Sequence, residues 1–347
     1  MNEEKMLYRV SGAPFVRSKT DTQRIMLDVL IALLPAFCVA VWQFGSAAVI
    51  RVAVSVASCV FFEWLYRKLM KKNSTIHDLS ACVTGVLLVF CMPAGVPLFV
   101  VVLGAFFSII LVKQLYGGIG KNFLNPALAG RALMMAGYAL FMTTWPVPSA
   151  LKGAVDGTTM ATPLNLLYSG TAADLPEYFS LMDLFIGKIP GCMGEISTVA
   201  LLLGGIYLIA RKVISWRIPA TYLGTVAVLT MLFGREGFGN VEWMLYNLCS
   251  GGLMLGSFFM ATDYATSPVT PKGQLIFGVG CGALTVLIRY FGGYPEGVSY
   301  AILIMNLLVW AIDKATPQRQ FGVSREELKS AKEAAKAEKK AAKEAQA

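Results

Sequence analysis

About ten apolar stretches follow one another between Ile25 and Asp313, each close to the roughly 20 residues needed to cross ~30 Å of hydrocarbon. They cover approximately 25–43, 46–66, 79–95, 97–113, 123–142, 195–211, 218–234, 243–262, 274–290 and 298–313. A water-soluble chain could not hide this much apolar surface. Of its 347 residues, 56% are hydrophobic and 15% charged, whereas soluble domains carry about 25% charged residues. Mean hydropathy is +0.61. The expected fold class is an all-α integral membrane protein of about ten transmembrane helices.

The charge that remains is placed unevenly. The first 24 residues form a polar arm with Lys5, Arg9, Arg17, Lys19 and Arg24. Its lack of a short apolar core before a small-residue cleavage site argues against a signal peptide. If the N-terminus is cytoplasmic, the inside loops hold Arg67, Lys68, Lys71, Lys72, Lys113, Lys121, Arg211, Lys212, Arg217, Lys272 and the basic tail. The outside then keeps only Arg51, Lys152, Lys188, Arg235 and Arg289, while Arg131 falls inside a span. This asymmetry predicts cytoplasmic termini and explains the net charge of +9 without nucleic acid.

The same count divides the chain into an arm (1–24), a first five-helix half (25–142), an extracytoplasmic loop (143–194), a second half (195–313) and a cytoplasmic tail (314–347). Two groups with an odd number of spans enter from opposite faces, so the halves are expected to be inverted repeats. Ser80 to Pro93 and Asn247 to Thr262 would correspond, each followed by a Pro-rich break (Pro93 and Pro97; Pro268 and Pro271). The tail opens on the capping box Ser324 and Glu327, then runs in Ala, Lys and Glu as a solvated helix.

Several chemistries are excluded by residue counts. The seven cysteines are scattered without a C-x-x-C pair, and His77 is the single histidine. Neither zinc, a bis-His haem nor a cysteine-ligated cluster is expected within this chain alone, so the metal expectation is none. Gly117-Gly118-Ile119-Gly120 and the 278–282 run GVGCG lie outside any strand-turn-helix unit and are no dinucleotide fingerprint. Gly252 and Gly256 read as close helix packing.

The long outer loop contains DGTTMATPL, from Asp156 to Leu164. On residues alone this is a hydroxyl-rich turn leading into a helix start at Pro163. It is either an ordinary capped turn or a phosphate site at a helix N-terminus. Asn122, Asn125 and Arg131 enter the fifth stretch, where buried polar groups must find partners, either as helix-to-helix contacts or as ligand contacts. Asp28, Glu63 and Asp263, with Asp313, are acidic residues in or near spans. They are candidates for an ion path, with capping or interhelical bonding as the plainer role.

The outer-loop run resembles the flavinylation motif D-x-x-S/T-G-A-T/S. Asp156, Thr159, Ala161 and Thr162 match it, and Met160 stands where glycine is usual. Four further segments extend the likeness: RSKTDTQRIMLDVLIALLPA (Arg17 to Ala36), GGIGKNFLNPALAGRAL (Gly117 to Leu133), FFMATDYATSPVTPKGQLIFG (Phe258 to Gly278) and FGGYPEGVSYAILIMN (Phe291 to Asn306). Together they resemble the NQR2/RnfD/RnfE family, in particular the D subunits of the Rnf complex, which are related to the B subunit of the sodium-pumping NADH:quinone reductase.

The resemblance implies a membrane subunit of an ion-translocating ferredoxin:NAD oxidoreductase, with FMN esterified to Thr162 on the outer side. It also implies a non-covalent flavin, riboflavin, deeper in the protein; Asn122, Asn125 and Arg131 are candidate flavin contacts by their position in a span, not by the resemblance. Implied partners are the A and E membrane subunits, the G flavoprotein subunit and the B and C cytoplasmic subunits of the Rnf complex, together with the lipid bilayer and Na⁺ or H⁺. The rival reading is a passive permease of the urea or ammonium transporter architecture, with no redox group.

Overall fold

The computed structural model describes residues 21–151, 158–168, 178–234, 240–293 and 295–317. Most of the N-terminal arm, Asp156 and the tail helix expected at Ser324 lie outside them. Among the described residues there is no strand; two isolated bridges join Pro93 with Cys192 and Pro146 with Thr159.

Helix occupies part of every apolar stretch of the sequence. Four helices are long and apolar enough to cross a bilayer unaided: α1 (Thr22–Phe44), α2 (Ser46–Leu69), α13 (Pro271–Phe291) and α14 (Val298–Ala315). At 1.5 Å per residue, the 23 residues of α1 reach about 35 Å. Shorter apolar helices are α3 (Ser80–Phe90), α4 (Leu98–Phe106, continued as π-helix over Phe107–Gln114), α9 (Thr198–Ala210) and α10 (Arg217–Leu232). Helix in the fifth and eighth stretches is broken. α5 (Pro126–Gly137) is followed by the single turn α6 (Ala139–Met142). α11 (Asn240–Cys249) stops before α12 (Leu253–Leu255), which continues as π-helix over Gly256–Met260. Between the halves lie α7 (Pro163–Tyr168) and α8 (Leu181–Ile186). The chain is a multi-pass membrane protein.

The break expected after the eighth stretch, at Pro268 and Pro271, is present: the chain turns there, and Thr270 caps α13 by accepting from the Gly273 N–H at 2.9 Å. Helix also breaks earlier, at 250–252, where proline is absent and Gly251 takes φ +68. That left-handed backbone suits glycine because it has no Cβ. Proline marks helix starts in a sequence, but a mid-stretch break set by packing carries no such mark.

α1 packs against α9, bringing the first and sixth apolar stretches together. α2 packs on α3 and α4, and α10 on α11 and α13, while α4 with its π-turns meets α5 and α13 meets α14. Glycine sets the closest approach of α2 and α3. A Cβ on Gly85 would lie 2.9 Å from Val56 Cα, and Ser55 Oγ donates to the Gly85 carbonyl at 2.8 Å. Gly278 and Gly282 likewise sit against the α10 backbone, 3.0 Å from the Ile218 and Tyr222 carbonyls by the same measure, so the GVGCG run is a packing face.

Since a backbone cannot yield as a side-chain tip can, Gly85→Leu is expected to destabilise by about 1–3 kcal/mol. Thermal unfolding of the detergent-solubilised protein, with Gly85→Ala as the milder comparison, measures this.

Candidate functional site

The N-terminal part of α1, the start of α5, the ends of α4 and α9 and the π-turns after α12 enclose a cavity of about 550 Å³. Its walls are apolar, including Val83, Leu87, Phe258 and Phe259, with polar groups from Ser80, Thr84, Lys113, Asn122, Asn125, Thr262 and Asp263. Asn125 owes its position to its role as N-cap of α5: Oδ1 accepts from the Ala127 and Leu128 N–H groups at 3.1 and 3.3 Å, and Nδ2 donates to the Met260 carbonyl at 3.2 Å. Pro126 follows at the first helical position, where a missing N–H costs nothing. Asn122 Nδ2 donates to the Leu124 carbonyl at 3.0 Å.

Asp263 lies just past the π-turns and accepts from Thr266 Oγ1 at 3.0 Å. Burial pushes its carboxyl above the ordinary range, and that bond opposes the shift. Oriented to satisfy its neighbours, the Asn306 amide accepts from Asn125 N and donates to the Thr266 and Ile302 carbonyls, tying α14 to both segments.

At one edge of the cavity a buried ion pair links α2 to the π-turns of α4. Lys113 Nζ donates to Glu63 Oε2 at 2.8 Å and to Ser80 Oγ at 2.6 Å, and Thr75 donates to Glu63 Oε1 at 2.5 Å. Lys113 is 3% exposed and Glu63 0%. Lys113, which the basic-residue count places among loop cations, is therefore corrected to an interior residue. It lies in π-helical turns, whose extra residue per turn changes which side chains face inward. Asp28 is away from the cavity lining and accepts from Tyr207 Oη (2.9 Å) and Arg211 (3.4 Å), whereas Asp313 lines the cavity and accepts from Val269 N at 3.2 Å.

The run that resembles the flavinylation motif lies at the other end of α1. Gln43, buried near the C-terminus of that helix, donates to the Gly187 carbonyl at 2.8 Å and accepts from Ala150 N at 3.2 Å, anchoring the 143–194 loop there. Within the loop, Met160 N donates to the Trp145 carbonyl (3.1 Å) and Val147 N to the Thr158 carbonyl (3.3 Å). Thr162 sits at the entrance to α7: Oγ1 accepts from Asn165 N at 3.2 Å, and its carbonyl accepts from Leu166 N. Thr159 is exposed, while Thr162 is largely covered. Met160 packs against a small outer core that includes Leu164, Leu167, Trp243 and Tyr246. Its φ is not positive, so nothing in this backbone requires the usual glycine.

Arg131 stands apart from the cavity lining. Its guanidinium is taken up by Glu296, Ser299 and the Cys91 carbonyl. Arg289, an outer basic residue by the sequence count, is 1% exposed and donates to the Asn247 and Ser250 carbonyls at 2.6 and 3.2 Å. No sequence signal separates it from a surface arginine near a helix end.

A long apolar helical bundle with a partly polar cavity at one end and a hydroxyl-bearing loop at the other is the architecture of a multi-pass helical membrane protein. The model of the NQR2, RnfD, RnfE family matches residues 9–322, and the chain belongs to that family. It is 47% identical over 327 residues to the D subunit of the Na(+)-translocating ferredoxin:NAD(+) oxidoreductase complex of Acetobacterium woodii, covering 94% of this chain and 98% of that one. It is 42% identical to the D subunit of the proton-translocating ferredoxin:NAD(+) oxidoreductase complex of Clostridium ljungdahlii (93% and 98% covered). It is 36% identical to the D subunit of the ion-translocating oxidoreductase complex of Shewanella amazonensis (91% and 99%).

Removing one member of the buried ion pair leaves its partner charged and dry. Lys113→Met is expected to cost about 3–5 kcal/mol, and Lys113→Met with Glu63→Gln less than the two single losses summed. Denaturation of the solubilised protein across this double-mutant cycle reads the coupling.

Proposed function

We propose that this chain is the flavin-bearing membrane subunit of an ion-translocating oxidoreductase complex, passing electrons between ferredoxin and NAD. The observation that carries the reading is a family match over almost the whole chain, together with an intact acceptor, Thr162, in a turn at one end of the bundle. Thr162 holds FMN through a phosphoester, with Asp156, Thr159 and Ala161 completing the motif. The residues fit such a group in two respects: a backbone N–H already points at Thr162 Oγ1, and Met160 is accommodated without strain. Bound flavin supplies the redox chemistry, while the protein supplies position and surroundings.

The 550 Å³ cavity is the candidate place for a second, non-covalent flavin such as riboflavin. Its volume lies in the range of small-molecule sites. Apolar walls suit a planar ring, and Asn122 and Asn125 offer amide donors and acceptors toward its polar edge. Arg131 is held elsewhere by Glu296, which argues against it as a flavin contact. Residues 22–29 of α1 meet the cavity and Gln43 meets the outer loop, so the two sites lie about 20 Å apart along that helix.

In this reading the chain has ten spans in two inverted halves, 25–142 and 195–313. The matched packing of α2 on α3 and α4 and of α10 on α11 and α13, with α1 against α9 between them, supports the repeat. Both termini are cytoplasmic in the cell membrane and residues 143–194 face outward, as the basic residues argue. The A, E, G, B and C subunits of the complex are the partners. The coupled ion is Na⁺ or H⁺, since relatives are named for each; Asp28, Glu63 and Asp263 are candidates for its path. A passive permease would give Thr162 no purpose, and the relatives' names are those of oxidoreductase subunits.

Intact mass and in-gel flavin fluorescence of the denatured protein, produced with its partners and an active flavin transferase, test the attachment. Wild type should carry the mass of one FMN, Thr162→Ala none, and Thr162→Ser some or all of it. Wild type without flavin would favour the permease. Asn122→Ala should lower the flavin released on denaturation severalfold while leaving the covalent mass unchanged, as chromatography of the released fraction would show.

A further inference from the structure

Where the two halves meet, acid outnumbers the base available to it. α3 ends at Phe90, and the segment before α9 docks on that end: Gly194 N donates to the Phe90 carbonyl (3.0 Å) and Met193 N to the Met92 carbonyl (3.1 Å). This places Glu195 in the interior, 7% exposed. Its Oε1 accepts from Cys192 N at 3.3 Å. Oε2 lies against Gly252, where a Cβ would come within 2.5 Å, and it pairs with no cation among the described residues. A carboxylate oxygen of Glu195, one of Glu296 and Cys192 Sγ all lie within 4.8 Å of one another.

Arg131 is the base at this junction, and all three of its nitrogens are engaged by Cys91, Ser299 and Glu296, none by Glu195. Arg289 approaches from the far side of Gly251, but its bonds go to Asn247 and Ser250, and it forms no ion pair among the described residues. The thiols of Cys91 and Cys192 complete the titratable groups facing Glu195. A water-sized cavity of about 10 Å³ is lined by Glu195, Glu296, Arg131 and Cys91. A second of the same size is lined by Arg131, Glu296, Tyr300 and Met135, without Glu195. Such a volume is near the minimum for one water.

Two carboxylates this close, Glu195 buried and Glu296 15% exposed, sharing one guanidinium, cannot both stay charged cheaply; neutralising one by a proton is the usual resolution. We propose that Glu195 and Glu296 form a proton-binding pair at the centre of the fold, with one proton resident on Glu195 while Arg131 holds Glu296 ionised. If Arg131 turns from Glu296 to Glu195, the proton leaves Glu195, crosses the water-sized gap and binds Glu296. Proton number and total charge are unchanged, and the proton then faces the second cavity. Arg131 lies six residues beyond Asn125 on α5, about 9 Å deeper than the large cavity, so the pair sits between the two ends of the bundle.

The proposal does not depend on flavin at Thr162, and complex purified without flavin transferase tests it separately. Infrared spectra of the purified complex at neutral pH, in sodium-free buffer, should contain a protonated-carboxyl band that shifts in D₂O and disappears as pH is raised. Glu195→Gln should remove that band without lowering the yield of assembled complex, because it replaces one neutral group by another. Glu296→Gln should also remove it, since Arg131 is then free to pair with an ionised Glu195. A band unchanged in Glu195→Gln would overturn the proposal, as would its loss on adding sodium to wild type, which would make the pair a cation site. If Glu195→Gln and Glu195→Met both fail to assemble while Glu195→Asp assembles, the fold needs the charged form, and the proposal is likewise overturned.

Discussion

A helix that stops inside an apolar bundle leaves carbonyls with no water to receive them, and the rest of this structure is arranged around that constraint. Helix stops inside the bundle at Phe90 and at Cys249, among other places, and at each of these two an arginine from another helix supplies missing donors. Arg131 reaches the Cys91 carbonyl at 2.9 Å, and Arg289 reaches those of Asn247 and Ser250. A cation at a helix C-terminus also meets the negative end of its dipole. The two arginines thus satisfy backbone groups that neither broken helix could satisfy itself.

Importing a guanidinium into such a place creates a second demand. Arg131 is buried and needs an anion, which Glu296 provides from the turn before α14. That contact draws the last helix of the second half onto the fifth apolar stretch of the first. Lys113 and Glu63 repeat the solution on a smaller scale, joining α2 to α4 beside the large cavity. Buried pairs of this kind add little net stability over an apolar core, but each is costly to break, so they hold helices in one register. A bundle whose spans could otherwise slide on apolar faces gains fixed points.

These fixed points shape where ligands can sit. The π-turns after α4 and α12 contribute Lys113, Phe258 and Phe259 to the lining of the large cavity. The Thr162 loop is tied to the opposite end of α1 through Gln43 and rests on its own small core. α1 therefore runs from a mostly apolar cavity that is partly open, with a few polar groups in its lining, to a turn over an aromatic cluster.

Much of this is legible in the chain. Apolar runs of bilayer length identify a membrane bundle because hydrocarbon tolerates almost no unpaired polarity, and Asn125-Pro126 announces a capped helix start that the structure contains. Asn122, Asn125 and Asp263 stand out as polar residues in apolar surroundings, and they line one cavity. Lys113, Arg289 and Glu195 do not, since a lysine or arginine near a helix end usually reaches water and Glu195 lies at a loop boundary. Arg131 is conspicuous, but its partner is 165 residues away. The sequence by itself determined that the chain enters a membrane and where its helices lie, because those depend on local composition and spacing. Only the tertiary structure decided which buried charges meet, where helices break and which polar residues share a cavity, because each depends on contacts between segments whose separation along the chain carries no information about their distance in space.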